Sequence, residues 1–214
     1  MRTLTVITAG LSTPSSTRQV ADSISAAVTA AVSSRGESLQ VDVIELRDLV
    51  NDLGQSLTTG ISSPALDEVK TKVSASDGLV VVSPVFKASY SGLFKTFFDV
   101  LDQDSLNGMP VIIAATAGSA RHQLVLDYAL RPLMTYMRAF VVPTGVFVAT
   151  DDFGSDDGKG LDSRISRAAG ELADQIVNTA SVGGLGGVTA RRTGVSPDEN
   201  VPSFASLLKG HDGV

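Results

Sequence analysis

Cysteine is absent from the 214-residue chain, which excludes disulfides, thiolate zinc sites and cysteine nucleophiles. Histidine occurs only twice, as His122 and His211, so chemistry built on an imidazole base has little to draw on. Positive charge is in deficit: 17 Lys and Arg stand against 23 Asp and Glu, for a net charge of −6. Nucleic acid or an anionic membrane surface requires a basic footprint that this balance does not supply. No apolar run approaches the roughly 18 residues of a membrane span. The opening residues, MRTLTVITAG, lack the longer apolar segment of a signal peptide, so a cytoplasmic protein is expected.

Several motifs are also missing. No G-x-S-x-G offers a hydrolase nucleophile. No G-x-G-x-x-G follows the first apolar run, so a dinucleotide pyrophosphate cannot be approached in that way. GSDDGKG (154–160) is one residue short of a P-loop between its glycines, and Gly160 stands where Ser or Thr must bind magnesium. DDFGSDDG (151–158) places Phe153 and Arg164 where a calcium loop needs its first and last ligands. No metal site is expected.

What remains is a globular composition, 43% hydrophobic and 19% charged, long enough for one α/β domain with a large core. TLTVITAG (3–10), LQVDVIEL (39–46), GLVVVSPVF (78–86), MPVIIAATAG (109–118) and FVVPTGVFV (140–148) read as strands. Between them, Val20, Ile24, Val28 and then Leu66, Val69, Val73 recur at helical spacing, as do Leu93, Phe94, Phe97, Phe98 and Leu101. Leu49 to Leu57 suggests a short helix, Leu124 to Arg138 a helix that contains Pro132, and Leu161 to Ala180 a last helix. Nearly continuous apolar strands alternating with helices predict a parallel sheet covered on both faces. The expected fold is α/β: a doubly wound five-stranded sheet in the order 2-1-3-4-5 over residues 1–180. A glycine-rich tail follows over 181–214, either anchored through PSFASLL or disordered.

Ligands in such sheets bind outside the carboxyl ends of the strands, and three loops there stand out. The first, TAGLSTPSSTRQVADSI (8–24), crowds hydroxyl residues around one strand-to-helix turn. Hydroxyls and free N–H groups at a helix start cradle a terminal phosphate; the alternative is a well-capped helix in a serine-rich loop. The second runs from Ser83 to Asp102. Pro84 and Gly92 allow the chain to turn, and Phe86 and Tyr90 can lie against a flat ring. Phe94, Phe97 and Phe98 are expected in the core. In the third, ATAGSARHQ (115–123), Thr116, Gly118 and Ser119 are small enough to border a ring, or to form an ordinary turn. Lys95 and Asp99 lie four apart on a helix and suit an ion pair rather than catalysis.

Together the loops resemble those of the NADPH-dependent FMN reductases of flavodoxin-like fold. Ser16 matches the central serine of that family's phosphate loop, with Ser12 and Thr17 as supporting donors. The second loop resembles Pro-x-Tyr-Asn-x-Ser-x-Pro-Gly-x-Leu-Lys-Asn-x-x-Asp, which Pro84, Ser89, Gly92, Lys95 and Asp99 match by position. It departs at Phe86, Lys87, Ser91, Phe94 and Thr96. The third resembles Thr-Gly-Gly, with Ala117 in place of a glycine. The departures resemble a subgroup partnered with luciferase-like flavin monooxygenases.

The resemblance implies noncovalent FMN, with NADPH or NADH as co-substrate. The cofactor-binding residues it implies are Ser12, Ser15, Ser16, Thr17, Pro84, Val85, Phe86, Lys87, Tyr90, Thr116, Ala117, Gly118 and Ser119. Lys87 or Arg121 would meet cofactor phosphates or the pyrimidine edge. No catalytic side chain is implied, since the flavin carries the hydride chemistry. A homodimer or homotetramer is implied as well. Electron carriers of this fold shield the flavin with aromatics; the absence of Trp and the presence of only three Tyr favour a reductase over a carrier. A quinone reductase is the other alternative on this scaffold.

Overall fold

The computed structural model describes residues 1–152 and 158–181. The expected tail beyond Ser181, its PSFASLL anchor, His211 and most of GSDDGKG lie outside the described residues. The strands are β1 (Arg2–Thr8), β2 (Leu39–Glu45), β3 (Gly78–Phe86), β4 (Ser89–Tyr90), β5 (Pro110–Ala117), β6 (Phe140–Val141) and β7 (Val146–Ala149). The helices are α1 (Ser16–Ser33), α2 (Val50–Thr59), α3 (Pro64–Ala75), α4 (Gly92–Asp99), α5 (Arg131–Tyr136) and α6 (Gly158–Ser181).

Strand order is β2-β1-β3-β5-β6, with β7 also parallel to β5. Side chains alternate between two cores, as the pleat requires. Ile7, Leu79, Val81, Val111 and Ile113 meet α2, α3, α4 and α5, where Phe94 and Phe97 are fully buried. Leu4, Val6, Val80, Val82, Ile112 and Ala114 meet α1 and α6. Burial on both faces explains why these strands carry unbroken apolar runs instead of alternating ones.

Three local features differ from the sequence expectation. The fifth strand is two short strands, β6 and β7. Pro143 between them has no N–H to donate, and the Thr144 N–H donates to the Glu171 carboxylate at 2.8 Å instead of to a neighbouring strand. The helix expected over 124–138 opens as a π-helical turn, Leu126–Leu130, and only then becomes α5, with Pro132 in its first turn. That start tolerates the missing N–H of Pro132. The second loop contains a hairpin: β4 pairs antiparallel with the end of β3, Val85 opposite Tyr90 and Phe86 opposite Ser89.

Candidate functional site

The chain runs from β1 to β2 on one side and from β3 to β5 on the other, so the strand order reverses between β1 and β3. Open parallel sheets bind ligands at that crevice. The register brings the three loops to one edge: Thr8 lies beside Val82, and Pro84 beside Thr116.

At the first loop, Ser15 is the N-cap of α1, and its Oγ accepts the Arg18 N–H at 3.2 Å. The Gln19 N–H goes to the Ser15 carbonyl. The N–H groups of Ser16 and Thr17 come too early in the helix to find an intrahelical acceptor. Ser16 is exposed at the first helical position, and Ser12 is exposed in the loop. Thr17 is buried, and its hydroxyl is 2.9 Å from that of Thr116, which ties the start of α1 to the end of β5 across the exit of β3. A Cβ added at Gly10 would stand 2.1 Å from the Ser15 Oγ, so only glycine lets the loop lie this close to its cap.

Two features of this edge escaped the sequence reading. Thr8 is 1% exposed, and its Oγ1 has no hydrogen-bond partner. By strand parity it shares the α1 face with Leu4 and Val6. A buried hydroxyl left unpaired beside a helix start fits an anion that would complete it. Its signal in the sequence was slight: one more threonine in a strand, RTLTVIT, that already carries Thr3 and Thr5. The second feature is a cavity of about 270 Å3 bordered by Ser12, Thr13, Pro14, Ser15, Arg18, Gln19, Glu45 and Arg47. The two arginines are engaged within the protein. Arg18 pairs with Asp22 at 2.8 Å and Glu45 at 2.6 Å, and Arg47 with Glu45 at 2.8 Å. The bond to Asp22, followed by Glu45, holds the Arg18 guanidinium above its ordinary pKa. Arg47 Nη1 also donates to the Ser12 carbonyl at 2.9 Å, bracing the loop from the turn after β2. The free N–H and O–H groups at this helix start thus stand beside two arginines that are already paired with carboxylates.

At the second loop, the Ser83 Oγ accepts the Ser91 N–H at 2.9 Å, closing the base of the hairpin. Ser91 in turn caps α4 through the Phe94 N–H at 3.2 Å. Pro84 and Val85 are half-buried, and Lys87 is exposed at the tip. The two aromatics separate in role. Tyr90 packs on Phe94 with ring centroids 5.6 Å apart, whereas Phe86 is 45% exposed. Phe94, Phe97 and Phe98 pack on one another in the core. Lys95 and Asp99 form the expected i,i+4 pair on α4, and the bond to Asp99 is the main reason the Lys95 ammonium is held above its usual pKa.

At the third loop, Thr116 is buried, Ala117 half-buried and Gly118 exposed. Cβ atoms built at Gly92 and Gly118 meet nothing within 4 Å, so both backbones face open space. Ser119 accepts the Arg121 N–H at 3.2 Å and caps the short turn Ala120–His122. No group of three or more His, Asp or Glu side chains among the described residues could hold a metal ion. None of the described helices is long and apolar enough to cross a membrane.

Residues 2–154 match the family described as NADPH-dependent FMN reductase. An FMN reductase (NADPH) of Pseudomonas aeruginosa is 41% identical over 126 residues, 58% of this chain and 68% of the relative. The NADH-dependent FMN reductase SfnF of Pseudomonas putida is 40% identical over 119 residues, 56% of this chain and 64% of the relative. The chain thus spans about two thirds of the length of these curated relatives. The X-ray structure of an oxidoreductase from Corynebacterium diphtheriae superimposes with a TM-score of 0.82 at 68% identity, covering 83% of this chain and 98% of that one. The strand order, the three converging loops and the match over most of the chain agree: it belongs to the NADPH-dependent FMN reductases, a family of flavin-using oxidoreductases.

Proposed function

We propose that the protein transfers hydride from NADPH or NADH to FMN as a homodimer or homotetramer, and that its reduced flavin feeds a flavin-dependent monooxygenase. The observation that carries this reading is the single edge on which an open helix start, an unpaired buried Thr8 hydroxyl and two bare glycine backbones converge. The exposed Ser12 and Ser16 hydroxyls and the N–H groups of Ser16 and Thr17 suit the FMN phosphate. The helix dipole adds favourable potential there. Ser15 and Thr17 act on the same phosphate through the loop, one by capping it and the other by tying it to Thr116.

The ring would lie between the hairpin residues Pro84, Val85, Phe86, Lys87 and Tyr90 and the third-loop residues Thr116, Ala117, Gly118 and Ser119. Since Tyr90 is committed to Phe94, Phe86 is the aromatic available to cover a ring face. FMN, when bound, supplies the atom that accepts hydride, so the chain contributes position and the exclusion of water. Gly92 and Gly118 let backbone approach a ring where a side chain would intervene.

The decisive experiment mixes purified protein with FMN and NADPH or NADH and follows the nicotinamide absorbance. Catalytic loss of that band with FMN as acceptor is expected. Tight FMN binding without turnover would identify an electron carrier, and turnover that requires an added quinone would identify a quinone reductase.

A further inference from the structure

Glu45 is placed by the register of the sheet. It ends β2 and lies beside Thr8, the last residue of β1. Leu39, Val41 and Val43, two residues apart along β2, pack toward α1 and α6. By the same parity Glu45 faces α1, and its bond to Arg18 of that helix agrees. Neighbouring strands run about 4.8 Å apart. A carboxylate thus stands one strand away from the unpaired Thr8 hydroxyl and beside the start of α1. A phosphate seated there would meet it as a like charge.

That carboxylate is the acid bonded to both arginines of the cavity beside the first loop. One oxygen takes Arg18 Nη1 at 2.6 Å, and the other takes Arg47 Nη2 at 2.8 Å. The Glu45 side chain is 18% exposed, so water screens these bonds less than those of an open surface pair. Asp22 meets Arg18 at 2.8 Å, and Asp48 lies 3.8 Å from Arg47; both of these acids are exposed. Two guanidiniums therefore face three carboxylates, and the cluster offers an anion no net positive charge. The guanidiniums are otherwise well suited to a phosphate. They are planar, carry paired donors and border the same cavity as Ser12, Thr13 and Ser15.

We propose that Glu45 sets the affinity of the seat for a flavin phosphate. By holding both guanidiniums it leaves the phosphate to neutral N–H and O–H donors and keeps FMN loosely held. The inference rests on the reading of this helix start as the FMN phosphate seat. A reductase that passes its flavin to a second enzyme must release it, and changes in affinity act mostly on the rate of release. Two free guanidiniums beside a dianion would slow that step.

Fluorescence titrations of the flavin-free protein test it, with FMN and riboflavin as probes at low and high salt. Glu45→Gln keeps the shape and removes the charge. It is expected to lower the FMN Kd by about tenfold, the scale of one unit of charge acting across several Å near a protein surface. The riboflavin Kd should not change. The gain for FMN should shrink as salt rises, because salt screens the new attraction. In stopped flow, FMN should leave the variant about tenfold more slowly. Glu45→Asp, which keeps the charge, should stay near the wild type. Arg18→Gln removes a positive charge and should raise the FMN Kd, again without moving riboflavin, and it carries the test if Glu45→Gln does not fold. A change of the same size for both flavins in either charge variant would make these side chains braces of the loop and overturn the inference. An FMN Kd in Glu45→Gln equal to that of the wild type would also overturn it. Both of those results leave the reductase reading intact. A wild type that binds riboflavin as tightly as FMN would overturn the phosphate seat as well.

Discussion

Ser15 and Ser16 are adjacent in sequence and opposite in situation. Ser15 is buried, and its hydroxyl is spent on the Arg18 N–H. Ser16 is exposed one position on, where no intrahelical bond competes for its groups. The two alanine variants should therefore fail differently. Ser15→Ala is expected to lower the stability of the flavin-free protein by about 1 kcal/mol, the usual cost of a lost N-cap. Ser16→Ala should leave the flavin-free melting temperature nearly unchanged and weaken FMN binding by roughly 1–3 kcal/mol, as for a hydrogen bond to a charged oxygen. Thermal melts and FMN fluorescence titrations separate them; an unchanged FMN affinity in Ser16→Ala would move the phosphate away from that hydroxyl. Which serine caps was not legible in TPSST. The answer depends on where the first helical residue falls; in the fold Gly10 leaves room beside the Ser15 Oγ, a closeness with no local signature.

The hairpin of β3 and β4 shows what was and was not readable at the level of an element. Its turn places Lys87 at φ 50 and Ala88 at φ 66, both in the left-handed region that two-residue hairpins require and that Asn and Gly usually fill. Lys-Ala gives no such signal, so the segment read as a loop. The left-handed conformation costs an alanine about 1–2 kcal/mol, partly offset in Ala88→Gly by the greater freedom of glycine in the unfolded chain. Ala88→Gly should therefore stabilise the flavin-free protein by roughly 0.5–1 kcal/mol, visible as a higher denaturant midpoint at constant slope. A lower midpoint would mean that the tip is held by contacts the alanine makes. The longer elements were legible because their periodicity is long. α1, α3 and α4 were predicted from apolar spacing, and Phe94, Phe97 and Phe98 took the core positions that spacing implied. The broken fifth strand was only half legible: Pro143, with no N–H to donate, stood in the sequence, but the bond from Thr144 to Glu171 joins residues 27 apart.

The whole molecule assembles a site that no single segment encodes. Strand order followed from the alternation of elements, and it placed the three loops on one edge. The links between them did not follow: Thr17 meets Thr116 across 99 residues, and Arg47 reaches Ser12 across 35. These bonds make the first loop part of the folded body, so the proposed ligand, bound there, would stabilise the whole. At a concentration about one hundred times its Kd, FMN adds about 2.7 kcal/mol, which for a domain of this size should raise the melting temperature by roughly 5–10 °C. Riboflavin carries the same ring without the phosphate. It can use the hairpin and third loop but not the helix start, so at equal concentration its shift should be clearly smaller, and Ser16→Ala should narrow the gap. Equal shifts from FMN and riboflavin would show that the first loop holds no phosphate. The unpaired Thr8 hydroxyl would then need another partner, and the serine-rich turn would be a helix cap and nothing more.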